Sequence, residues 1–159
     1  MKKVFKATAL LLALLAAFAF VGCSNSSGSG GGDSDWQNVV NMSDLVGSWV
    51  YNSSDQGLKS TETYSVASDF STSVKAVVDY SAADPMVQAT MPLVVLVLEA
   101  AGYACNNDIA AKELTATRSF TSSDFRTFVL GGGVKINSAK DKVKMKDAQG
   151  KKEVIFSKQ

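Results

Sequence analysis

The chain has no histidine. That removes the commonest general base at neutral pH and the commonest transition-metal ligand. Cysteine is almost as scarce. Cys23 and Cys105 are the only two in 159 residues, too few for the usual zinc ligand sets. No serine stands in the glycine frame of a nucleophile elbow. Gly131-Gly132-Gly133-Val134-Lys135 lacks the spacing of a phosphate loop and reads as a turn. Acid pairs such as Glu62 with Asp79 could meet in a fold, but no spacing singles them out. No catalytic residue, metal or cofactor is therefore expected, and an enzyme is not the expected reading. Arginine occurs twice, as Arg118 and Arg126, and proline twice, as Pro85 and Pro92.

What is present begins at the N-terminus. Lys2, Lys3 and Lys6 form a positive start, Thr8–Val21 is an apolar run, and Gly22-Cys23 closes it. A charged start, an apolar middle and a small residue before the cut make a secretory signal. With cysteine at the cut, Phe20-Val21-Gly22-Cys23 resembles the lipobox of bacterial lipoproteins, phenylalanine replacing the usual leucine. The resemblance implies removal of residues 1–22 and a lipid on the Cys23 sulfur, which makes the membrane a partner through that cysteine. Ser24 is not the aspartate that retains some lipoproteins in an inner membrane, so the outer one is expected if the host has two. Ser24–Asp35 is rich in glycine and serine and reads as a tether, with a root-mean-square span of roughly 20 Å. Residues 36–159 are left as one domain, long enough to bury a core.

Removing the signal takes three lysines and no acids, so the mature chain carries (16 − 3) − 15 = −2. That balance argues against nucleic-acid binding, which needs a basic face. From Gly132 onward there are eight lysines and three acids. This reads as a solvated strand face, with a patch for anionic lipid as the alternative. Cys105, with Cys23 acylated, has no partner for a disulfide and reads as a buried small hydrophobe.

The domain is mainly β. Strands are expected at Leu45–Tyr51, Thr61–Ala67, Ser73–Tyr80, Glu113–Phe120, Phe125–Leu130, Asp141–Asp147 and Lys151–Lys158. Their period-two alternation argues for antiparallel sheet with one buried face. Tyr64 and Val66 share a face, as do Val74, Ala76, Val78 and Tyr80, and Leu114, Ala116, Arg118 and Phe120. Lys142, Lys144 and Lys146 face out, opposite Val143 and Met145. A hairpin turn is expected at Asp147–Gly150. One segment differs. Asp84 suits an N-cap, Pro85 the first helical position and Gly102 the stop. Between them lies a helix apolar all round, as buried or membrane helices are. It is short of the about 20 residues of a span and is expected to pack over or into the β structure, with Pro92 kinking or splitting it. A strand at Leu93–Glu99 is the alternative, giving a mainly β fold against an α+β one.

Asp44-Leu45-Val46-Gly47-Ser48-Trp49 resembles the opening signature of lipocalin and lipocalin-like barrels. The resemblance implies an antiparallel barrel in which Gly47 permits close backbone approach at the closed end and Trp49 covers the floor. An arginine from a late strand often stacks on that indole. Here no arginine lies in the last strands, which leaves Lys158. Ser123-Asp124-Phe125 only loosely matches the family's second motif, and too many strands follow it. The inserted helix leaves the barrel incomplete, or filled.

Arg118 is the odd residue. Inward, it would be a guanidinium in an apolar cavity, set to pair with a ligand carboxylate or phosphate. At a rim or a bulge it would be solvated. Tyr64 and Tyr80 complete the candidate ligand-facing set. Two functions follow: a lipid-anchored binding protein for a small apolar or amphipathic molecule, or an envelope interaction or structural lipoprotein whose barrel its own helix fills.

Overall fold

The computed structural model describes residues 35–55, 57–146 and 153–159. Cys23, the signal and nearly all of the tether lie outside the described residues, as does the expected turn at Asp147–Gly150. Nine strands form one antiparallel sheet: β1 (Trp36–Asn38), β2 (Gly47–Asp55), β3 (Leu58–Val66), β4 (Thr72–Asp79), β5 (Ala104–Asp108), β6 (Glu113–Phe120), β7 (Val134–Asn137), β8 (Lys142–Lys146) and β9 (Glu153–Lys158). Two α-helices interrupt them, α1 (Pro85–Ala100) and α2 (Ser122–Phe128).

The strand order is β1-β7-β8-β9-β2-β3-β4-β6-β5. The last strand returns to pair with β2, placing Trp49 opposite Lys158. The expected barrel does not close. β1 and β5 end the order, and no pairing joins them among the described residues. The sheet still curls. Val74 and Phe120, on β4 and β6, share an apolar cluster with Val134, Ile136, Val143 and Met145 of β7 and β8.

Alternation sets the inner face as the sequence predicts. Leu58, Ser60, Glu62, Tyr64 and Val66 of β3 are all buried. A second apolar cluster lies where α1 packs on β4 and β6, with Val87, Met91, Val94 and Leu98 against Ala76, Val78, Leu114 and Ala116. Asp84 caps α1 by accepting a hydrogen bond from Met86 N at 2.9 Å. Gly102 stops it at φ +84°, a conformation that suits glycine. Pro92 lies inside a helix that stays unbroken.

α1 packs over the open sheet, burying one side and turning the other outward. Other features depart from the sequence reading. Phe125–Leu130 is not a strand. Thr121 and Asp124 form a capping box, with Asp124 N donating to Thr121 Oγ1 at 3.2 Å, and α2 follows. A five-residue π turn, Val129–Gly133, then leads to β7. The first strand begins at Gly47, since Met42–Leu45 is a 3-10 turn capped by Asn41. β5 has little strand signal in Ala104-Cys105-Asn106-Asn107-Asp108, yet it pairs along its whole length with β6. That strand holds Cys105 half-buried against the α1 cluster. Burial pushes its thiol pKa up.

Candidate functional site

Trp49 lies at the seam of β9, β2 and β3, opposite Lys158 on one side and Tyr64 on the other. It is buried, and its indole Nε1 donates to the Leu45 carbonyl at 2.7 Å. The Lys158 Nζ sits 5.1 Å from the indole ring centroid and donates to the Asp44 carbonyl at 3.4 Å. Lys158 is thus the late-strand cation that lies over the indole. Gly47 stands at φ +126°, and a Cβ there would lie 3.2 Å from Lys158 Cε. Both the backbone angle and the passing lysine favour glycine.

The three residues expected to face a ligand do not gather around one cavity. Tyr64 is core, its ring edge-on to Phe156 with centroids 4.8 Å apart. Burial pushes its pKa well up, and the Glu62 charge adds to the rise. Tyr80 is buried against α1, and its hydroxyl donates to Asn107 Oδ1 at 2.8 Å, joining β4 to edge strand β5. Arg118 points to the inner face, as its parity predicts, but its guanidinium lies over two rings. Its Cζ is 4.7 Å from the Phe120 centroid and 5.6 Å from that of Tyr103. Tyr103 has its pKa pushed up to about 12, by burial first, with Arg118 opposing and Glu62 adding. Arg118 therefore clasps the corner after α1 to β6.

Glu62, named from the sequence only as half of a possible acid pair, is a buried ionisable residue that the pattern did not single out. It stands in one row across the sheet with Tyr51, Ala76, Ala116 and Cys105, between the two apolar clusters. It is 3% exposed, and its Oε1 has no hydrogen-bond partner among the described residues. Burial raises its pKa from 4.5 to about 8, so the carboxyl is mostly protonated at neutral pH. Asp79, its suggested partner, belongs to the opposite face, where its Oδ1 accepts from Ser81 N at 2.8 Å. The parity that places Arg118 inward also places Glu62 inward, on the same face as Tyr64 and Val66. Applying it to acids as well as to arginines would have found this residue.

A recess of about 340 Å³ opens where β2 starts and β3 ends, lined by Gly47, Ser48, Ser65, Ser73, Ser119 and Phe120 among others. Its serines come from the outer face of the sheet, so it is separate from the row that holds Glu62. Among the described residues no cluster of three His, Cys, Asp or Glu could hold a metal ion. No helix among them is long and apolar enough to cross a membrane. No protein-family model matches the chain, and neither a curated protein nor a solved structure shows similarity to it.

Proposed function

We propose that this chain is a bacterial lipoprotein of the cell envelope, anchored through Cys23, whose domain works through its surface and carries no internal cargo. The observation behind this reading is the place of α1. Val87, Met91, Val94 and Leu98 occupy the inner face of β4 and β6, where a lipocalin-like barrel would hold its ligand. The rest of the inner face is filled by Trp49, Tyr64, Phe120 and Phe156. The three residues first assigned to a ligand are engaged with the protein itself. A lipocalin-like ancestry for the Gly47-Ser48-Trp49 opening is compatible with this, the helix having taken the space of the cargo.

The anchor and the filled interior are tested separately. Cys23→Ala should abolish palmitate labelling and release the protein from membranes. Labelling that persists in the variant would contradict the anchor. Native mass spectrometry of the mature chain mixed with fatty acids should show the protein mass alone. A fatty acid bound one to one would restore the carrier reading, with Arg118 the first residue to test against the anionic end.

A further inference from the structure

We infer that the outward side of α1 rests on the lipid bilayer as a second contact beside the lipid on Cys23, an inference that builds on the anchored reading above. α1 buries one side on the sheet and leaves the other uncovered by the described residues. Met86 is 54%, Leu93 62%, Leu96 62% and Val97 49% exposed. From Pro85 to Leu98 the helix has no charged residue at all. Scattered apolar residues are ordinary on a surface, but these four follow one another along one side of a single helix. With sixteen residues the helix is too short to span a bilayer. Lying in the interface with its apolar side down, such a helix reaches about 5–10 Å into the headgroup boundary.

The chain outside the described residues decides what covers this face. Twelve residues, Ser24–Asp35, separate the lipidated cysteine from β1. Fully extended they reach at most about 40 Å, and a domain of this size has a radius of gyration of about 14 Å. The bilayer is therefore within reach of every face and stays at high effective concentration. A second copy is a weaker occupant, because stable dimers need about 20–30 residues a side and this patch offers four large ones.

The basic half is a weaker membrane face than its composition suggests. Lys140 pairs with Asp44 at 3.0 Å and Lys144 with Glu153 at 3.2 Å. Lys144 also lies 4.6 Å from the Trp36 ring centroid. The charges at the two ends of α1 are acidic, Asp84 at its N-cap and Glu99 in its last turn. Docking by α1 thus needs no anionic lipid and should survive high salt.

The test uses the full acylated chain, purified from membranes and reconstituted in phosphatidylcholine vesicles. A nitroxide is placed at Leu96→Cys in a Cys105→Ser background, Cys23 being blocked by its lipid. The control is Lys75→Cys in the same background, on the exposed opposite face of β4. Paramagnetic relaxation by oxygen and by a water-soluble nickel complex reads depth. The Leu96 label should favour oxygen several-fold over nickel, at low and high salt alike, and the Lys75 label the reverse. If both labels are equally open to nickel while the protein floats with the vesicles, the docking is wrong and the anchor stands. If the protein does not float, both fall. Spin–spin broadening at Leu96 would assign the face to a second copy and overturn the inference.

Discussion

Trp49 and Met91 are each 1% exposed, yet what buries them differs. Around Trp49 the sheet curls over itself. Both walls come from strands, Phe125 of α2 and Val129 of the π turn close them, and the space is filled by large aromatics, Tyr64, Phe120 and Phe156. Around Met91 the strands stay open and a helix supplies the second wall. There the sheet offers Ala76, Val78, Leu114 and Ala116 to the buried side of α1. One sheet thus solves burial twice, by curling over itself around Trp49 and by taking a helix around Met91. Ser60 and Glu62 lie in the strand between the two solutions. A carboxyl is tolerated there by holding its proton.

The largest expected effect breaks the strand-built core. Trp49→Ala should destabilise the domain by about 3–5 kcal/mol, read by urea unfolding at constant m. Trp36→Ala should lose little more than its contact with Lys144, about 0.5–2 kcal/mol. Equal effects at the two positions would contradict the curled core. The helix-built core is broken next. Met91→Ala should cost about 2–5 kcal/mol, while Leu96→Ala, one turn on and facing out, should stay within about 0.5 kcal/mol. Similar losses at both would mean that α1 is buried on both sides.

Glu62 sharpens the boundary between the cores. Its folded pKa, about 8, lies above the ordinary 4.5. Between those values the folded state keeps a proton that the unfolded state has lost. Stability therefore falls as pH rises from about 4.5 to about 8 and levels off above. Glu62→Gln resembles the protonated form. It should match the parent at pH 4 and exceed it at pH 9 by on the order of a few kcal/mol. A stability difference independent of pH would show that the carboxyl is solvated. The smallest effect lies at the α2 cap, where Thr121→Ala should cost about 1 kcal/mol. No change there would mean that the capping box is not holding α2.

Much of this fold was legible because alternation is a strong signal wherever one face is buried. β3, β4, β6, β8 and β9 were found that way, and α1 by Asp84, Pro85 and Gly102. α2 was misread since Phe125, Phe128 and Val129 suit a strand by composition, while the Thr121–Asp124 box that decides the matter is polar and lies upstream. β5 was invisible because its strand state comes from pairing with β6 and not from its own residues. Closure was beyond local pattern altogether. Whether a curled sheet meets itself depends on distant edges, and here β1 and β5 end it. Of the candidate site, inward parity placed Arg118, Tyr64 and Tyr80 on the inner face. It could not say that Tyr64 would fill the curled core, Tyr80 pack with α1 and Arg118 lie over Tyr103 and Phe120.

The central claim is that α1 is a wall of the core and not a lid over a cavity. Native-state amide hydrogen exchange compares the two regions directly. If α1 is a wall, the amides of Met91, Val94 and Leu98 should exchange only through global unfolding, with the same opening free energy and denaturant dependence as Tyr64 in the curled core. If those α1 amides exchange orders of magnitude faster, through an opening that leaves Tyr64 protected, the helix is a lid and the filled interior proposed here is wrong.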